Sequence, residues 1–269
     1  MAKTAKPRAR AFTLIEVLVA STPLTLFLVV GCSMLKMADK VFHQISGNED
    51  ATMQLRRAVR MLEQDLITTN ILQVQGAKVP AHLAGGAYDG SAICMLSAAL
   101  NGTGDMVSKS DGEPTWQRNI LYYVITPQGD PCAGGADAQG YDDRCPHKLL
   151  IRKIIDNPAA GTEEVLFTPA ASLTPYLTQP VGKTNISNLL GEANVTQVEL
   201  VARGMVSMQI KLPPPQADLP VTNIPNEVQV VLTAFNEPKS RKLALGTVAL
   251  SAQPGFLVNS FSVFPRNNR

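Results

Sequence analysis

A long apolar stretch near the start of the chain limits its possible folds more than any other feature. It runs from Phe12 to Leu35 and follows a leader with four basic residues, Lys3, Lys6, Arg8 and Arg10. A membrane-spanning helix needs about 20 apolar residues, whereas the apolar core of a cleaved secretory signal has roughly 7–15. Positive charge before the stretch predicts a cytoplasmic N-terminus and a periplasmic or extracellular remainder. The sequence therefore predicts a single-pass membrane helix over residues 12–35.

One carboxylate, Glu16, interrupts this apolar stretch. A lone acidic residue inside a membrane helix costs roughly 2.5–3.5 kcal/mol on insertion scales and usually marks a functional position. The residues around it, from Phe12 to Ala20, read F-T-L-I-E-V-L-V-A. This segment resembles the processing and assembly motif of type IV pilins and of type II secretion pseudopilins.

The resemblance implies a role for each residue at the junction. A prepilin peptidase would cut between Ala11 and Phe12, and the new N-terminal Phe12 would be N-methylated. The family more often has glycine where this chain has Ala11. Glu16 would then pair with the positive Phe12 amine of a neighbouring subunit during filament assembly. Opposite charges attract more strongly in an apolar bundle than in water, and removing one partner leaves the other buried and unpaired.

A possible lipoprotein signal sequence overlaps the same apolar stretch. Residues 29–32 read Val-Val-Gly-Cys, which resembles a lipobox, so that cleavage before Cys32 and lipidation of its thiol would give a periplasmic lipoprotein binding module. The length of the apolar run, the buried carboxylate and the helical pattern after Cys32 favour the pilin interpretation. On that interpretation Cys32 is a small apolar residue of a membrane helix. Pro23 predicts a kink, because it lacks an N–H and clashes with the carbonyl of Val19.

The helical pattern continues beyond the membrane stretch. Apolar positions recur at alternating steps of four and three residues, which predicts an amphipathic helix over residues 36–75. A polar pair, Asn48 and Thr52 beside Gly47, predicts a bend or a break. From Leu55 to Leu66 the segment also resembles the second half of the helix in larger minor pilins.

Residues 76–269 have the composition of a β-rich domain, with short runs of β-branched and aromatic residues between Gly, Pro, Asn and Ser. We expect a break or a bulge at Gly204, since glycine inside a strand weakens it. Strands that follow one long helix predict an α+β fold with an antiparallel sheet, of the pilin-like type by resemblance. The candidate strands are Ala92–Leu100, Asn119–Thr126, Lys148–Ile155, Glu164–Phe167, Gln197–Leu212, Glu227–Phe235 and Lys242–Ala252.

The cysteines and the acidic loop suggest structural roles. Cys132 and Cys145 bracket a polar loop, and closing a loop of that length stabilises by about 3 kcal/mol in the chain-entropy model. We favour a Cys132–Cys145 disulfide, and pairing of Cys94 with either of them stays open. Four carboxylates in or directly before this loop, Asp130, Asp137, Asp142 and Asp143, could bind calcium. Their spacing is not that of an EF-hand, and a hydrated acidic loop tip is the more common arrangement.

Composition and motifs favour a structural protein. Four of the 24 basic residues lie in the leader, so cleavage leaves 20 against 22 acidic residues, and nucleic acid is not expected as a partner. The three histidines lack metal-ligand spacing, and no nucleophile or phosphate-loop motif is present, so we expect neither an enzyme nor a cofactor.

The resemblance implies a PilW-type minor pilin, a subunit of the complex that initiates a pilus and lies at its tip. Its partners would be the prepilin peptidase, other minor pilins, the major pilin, the assembly platform and lipid of the inner membrane, and in some systems a tip adhesin. The protein would lie in the inner membrane with its head in the periplasm and then in a cell-surface pilus. A GspJ-type minor pseudopilin of type II secretion has the same parts and is the alternative.

Overall fold

The protein has a long apolar N-terminal helix followed by an antiparallel sheet, which confirms the α+β prediction at that level. The computed structural model describes residues 13–77, 91–99, 105–128, 148–156, 163–168, 170–182, 184–213, 226–235 and 256–265. Its contacts divide the chain into two units, Met1–Ser46 and Gly47–Arg269. The boundary falls beside the predicted weak section at Gly47.

Helix α1 runs from Leu14 to Ile67, and Pro23 lies inside it. The helix continues through the predicted weak section, where the Thr52 hydroxyl donates to the Asn48 carbonyl at 2.7 Å. It ends before the predicted limit at residue 75. The reason is local, because the Asn70 side chain accepts the N–H of Leu72 and starts a short 3-10 turn.

The second unit uses the last turns of α1 as one wall of its core. Ala51, Leu55, Ala58, Leu62 and Leu66 are buried at steps of three and four residues. This spacing places them on one face of the helix, as the sequence pattern predicted. The opposite face is exposed, with arginines at positions 56, 57 and 60.

Seven described strands form one antiparallel sheet in which each strand pairs with the next along the chain. A meander of this kind needs no long crossover, because antiparallel neighbours can be joined directly. Two 3-10 segments, Ala170–Tyr176 and Ile186–Gly191, lie between β4 and β5. The strands are β1 Val74–Ala77, β2 Ala92–Ser97, β3 Arg118–Ile125, β4 Lys148–Ile155, β5 Val195–Lys211, β6 Val228–Phe235 and β7 Phe256–Val263.

Strand β5 changes partner half-way along its length. Residues 195–205 pair with β4, and residues 205–211 pair with β6. Gly204 lies at this change with a φ of 68°, next to a register shift on both sides of the strand. Positive φ is open to glycine at no steric cost. The predicted interruption at Gly204 is therefore a bulge inside one long strand.

The sheet separates two apolar cores. One lies between the sheet and α1 and contains Leu62, Tyr122 and Leu232. The other lies on the opposite face of β1–β4 and is covered by the segments between β4 and β5, with Leu173 and Leu189 fully or almost fully buried. Strands β3 and β4 are therefore buried on both faces, which explains their nearly continuous apolar sequences.

One strand assignment from the sequence is wrong, one lies outside the described residues, and two strands were missed. Residues 164–167 are not a strand. The Glu164 N–H donates to the Trp116 carbonyl, and Leu166 is buried in the second core. The partner of β6 is β7, residues 256–263, which the sequence analysis missed together with β1. The predicted strand Lys242–Ala252 lies outside the described residues.

Candidate functional site

The carboxylate of Glu16 closes a capping box at the start of α1. Thr13 directly precedes the helix, and its carbonyl accepts the N–H of Val17 at 3.2 Å. The Glu16 Oε2 atom accepts the Thr13 backbone N–H at 2.9 Å and its hydroxyl at 3.0 Å. In return the Thr13 hydroxyl accepts the Glu16 N–H at 3.3 Å. Two otherwise unpaired backbone donors are satisfied by this exchange.

The capping box gives Glu16 a role that the sequence analysis missed. The signal was present, since Ser or Thr followed three residues later by Glu before an apolar run is a helix-start pattern. Within residues 13–77, only one of the two carboxylate oxygens takes part in the box. An ionised carboxylate accepts about four hydrogen bonds, so Glu16 keeps capacity for a further donor.

The apolar side chains that follow Glu16 are exposed. The large apolar residues between Leu14 and Ile45 show 44–81% of their surface. This helix is the one candidate membrane span among the described residues, and none of its most apolar window is buried. The chain thus has one N-terminal helix long and apolar enough to cross a membrane. An exposed apolar surface of this extent marks a contact with lipid or protein.

Hydroxyl groups beside Pro23 are bonded to the helix backbone. Ser21 and Thr22 both donate to the Leu18 carbonyl, at 3.0 and 2.8 Å. Thr25 donates to the carbonyls of Ser21 and Thr22, both at 2.9 Å. Such bonds would satisfy these hydroxyls inside a bilayer, where no water is available to them. None of these bonds goes to the Val19 carbonyl, the one that the proline leaves without its usual donor.

The other residues that the sequence singled out lie elsewhere in the chain or outside the described residues. Cys32 is an exposed free thiol within α1, and Cys94 is a buried free thiol in β2. Burial raises the pKa of the Cys94 thiol, and its sulfur lies 3.7 Å from the Asn119 side-chain oxygen.

Several predicted sites lie outside the described residues. They are the cleavage pair Ala11 and Phe12, the disulfide pair Cys132 and Cys145, and the acidic loop Asp130–Asp143. The described residues contain no group of three or more metal-ligating side chains.

Two buried ionic clusters of the second unit were missed by the sequence analysis. Asp65, near the end of α1, binds the Arg152 guanidinium and accepts the Tyr122 hydroxyl at 2.5 Å. On the other face of the sheet, the Lys153 ammonium donates to Glu192 at 2.7 Å and to the Tyr176 carbonyl at 2.6 Å. A signal existed in the sequence, because Arg152 and Lys153 interrupt an otherwise apolar strand. Such charges in a buried strand need partners.

Comparisons with protein families, with curated proteins and with solved structures gave no match.

Proposed function

We propose that this chain is a minor type IV pilin, a structural subunit of the complex that primes a pilus and caps its tip. The observation that supports this most is the capping box at Glu16, which opens an exposed apolar helix within the motif F-T-L-I-E-V-L-V-A. A β-rich unit follows on the same chain, as a pilin head would. A pseudopilin of type II secretion uses the same parts, and a neighbouring secretin operon would identify it.

The geometry suggests how Glu16 would act in assembly. Cleavage after Ala11 would free the amine of Phe12, one residue before the Thr13 N–H that Glu16 already binds. In the membrane, the capping box would satisfy part of the hydrogen-bonding capacity of the Glu16 carboxylate. On entry into an apolar bundle of helices, the remaining acceptor capacity of Glu16 would take the Phe12 amine of an adjoining subunit. The pair would be strong there because the bundle excludes water.

Two substitutions separate the charge of Glu16 from its capping role. Glu16→Gln keeps an N3 side chain that can close a capping box but removes the charge. Thr13→Ala removes the capping hydroxyl but keeps the carboxylate. We expect both variants, and Glu16→Ala, to be cleaved by the peptidase.

The measurement is the amount of each variant that sediments with assembled filaments, relative to the amount in the inner membrane. We expect Glu16→Gln and Glu16→Ala to be lost from filaments and Thr13→Ala to be incorporated. The opposite ranking, with Glu16→Gln incorporated and Thr13→Ala lost, would leave Glu16 as a helix cap alone.

A further inference from the structure

A groove of about 490 Å³ opens on the second unit. Its volume is within the roughly 300–1,000 Å³ of small-molecule sites. Two segments build it, residues 105–117 between β2 and β3 and residues 163–168 after β4. Its polar and aromatic lining consists of Gln73, Lys109, Trp116, Glu163, Glu164 and Thr168.

The first of these segments is an ordered loop that carries Lys109 at its turn. Lys109 donates its N–H to the Glu113 carbonyl at 2.7 Å, and Gly112 donates back to the Lys109 carbonyl at 3.0 Å. Gly112 has a φ of 88°, which closes the turn. Thr115 donates to the Val107 carbonyl at 2.9 Å. The loop is therefore held in one conformation by its own backbone.

The indole of Trp116, the single tryptophan of the chain, is fixed in the groove wall. It is half-buried and packs on the second core. The backbone N–H of Trp116 donates to the Glu163 Oε1 atom at 3.1 Å, and its backbone carbonyl accepts the Glu164 N–H at 3.0 Å. The backbone that carries the ring is therefore held in place, so little ordering of this residue is needed when a ligand binds.

An ion pair stands beside this ring. The Lys109 ammonium lies 2.9 Å from the Glu163 carboxylate, and the two side chains are 41% and 32% exposed. The hydrogen bond between them raises the pKa of Lys109 and lowers that of Glu163, so both stay charged near neutral pH. Lys109 keeps donors and Glu163 keeps acceptors for a ligand. The amide of Gln73 and the hydroxyl of Thr168 add further donors and acceptors to the lining.

We propose that this groove binds a neutral saccharide. The negative face of an aromatic ring attracts the C–H bonds of a pyranose, and the neighbouring donors and acceptors match its hydroxyl groups. An anion would meet two carboxylates, Glu163 and Glu164, against one ammonium. A cation would have to displace Lys109 from Glu163. The site is independent of the filament role, because every lining residue belongs to the second unit.

The test is binding of the full mature chain to a panel of immobilised saccharides, neutral members beside sialylated and sulfated ones. The chain is held in a detergent without a sugar headgroup, because an alkyl glycoside would compete for the groove. We expect neutral members to bind and the free sugar to shift the fluorescence of Trp116. Lys109→Met and Glu163→Gln should each weaken binding about tenfold or more, since hydrogen bonds to charged groups are strong.

The matched control is Lys211→Met, an exposed lysine at the end of β5 outside the groove, which should bind as the wild type does. Wild-type protein that binds no neutral saccharide, or binds only the sialylated or sulfated members, would overturn the proposal. Equal binding by wild type, Lys109→Met and Glu163→Gln would overturn it as well.

Discussion

The guanidinium of Arg152 binds both carboxylate oxygens of Asp65, with Nε 2.7 Å from Oδ2 and Nη2 3.2 Å from Oδ1. This bidentate pair joins the last turns of α1 to the middle of β4. The side chains are 10% and 18% exposed, so the contact is shielded from water. Because α1 has no basic residue in its last turn, Arg152 also places positive charge near the negative end of the helix dipole.

Arg152→Met should destabilise the protein by about 3–5 kcal/mol, because it leaves Asp65 buried with the Tyr122 hydroxyl alone. Chemical denaturation of the full chain in detergent measures the change. Arg118→Met is the matched control, since the buried Nε and Nη1 atoms of Arg118 make no hydrogen bond within the part of the chain that the structure describes. We expect its effect to stay within about 1 kcal/mol. Equal losses for both variants would contradict the assignment of Asp65 and Arg152 as the stabilising pair.

The Lys153 cluster should respond unequally to removal of its two charges. Lys153 is fully buried, whereas Glu192 keeps 18% of its side chain exposed. Glu192→Ala leaves a buried ammonium without its counter-ion and should cost about 3–5 kcal/mol. Lys153→Met keeps the volume and leaves a carboxylate that water can reach, so about 1–3 kcal/mol is expected. The ranking is read from unfolding midpoints, and a larger loss for Lys153→Met would contradict it.

Gly204→Ala should destabilise the protein by about 1–2 kcal/mol. Its φ of 68° is the left-handed conformation, which a Cβ penalises by that amount. The nearest atom to the added Cβ would be the Phe235 carbonyl oxygen at 3.8 Å, so backbone strain is the expected cause and not a clash. Gly191→Ala, at a site with open space and no positive φ, is the control and should change the free energy of unfolding little. Similar losses at both positions would contradict the bulge at β5 as the cause.

Acid should remove the stability that the Glu163 carboxylate contributes. Its pKa is lowered from the ordinary value of 4.5, first by the hydrogen bond from Lys109 and then by that from the backbone N–H of Trp116. A group with a lowered pKa in the folded state stabilises fully above its unfolded pKa and loses this effect as pH falls through the folded value. The difference in unfolding midpoint between wild type and Glu163→Gln should therefore be present at neutral pH and shrink below about pH 4.5. A difference independent of pH would contradict the ionic contact.

The parts of the fold that the sequence predicted are those with a strong local period. The buried positions of α1 from Leu55 to Leu66 and the strand Lys148–Ile155 were found as predicted, because periodic or continuous apolar residues mark them. Strands β1 and β7 were missed. The first is only four residues long, and Asn259, Ser260 and Ser262 break the apolar character of the second.

The charged clusters could not be assigned because their partners are far apart in the chain. Asp65 and Arg152 are separated by 87 positions, and only the pairing of β3 with β4 brings Tyr122 and Arg152 to the same carboxylate. The groove at Trp116 has the same origin, since Lys109 and Glu163 meet through packing of two connecting segments. The capping box at Glu16 differs, because two residues only three positions apart, Thr13 and Glu16, encode it completely.

The mass of the mature chain tests the proposed filament role most directly. The protein is extracted from membranes of the native host, and its intact mass and N-terminal peptide are measured. A chain that begins at Phe12 and carries one added methyl group is the predicted result. A chain that keeps Met1 and the basic leader, or one that begins at a lipid-modified Cys32, would contradict the proposal.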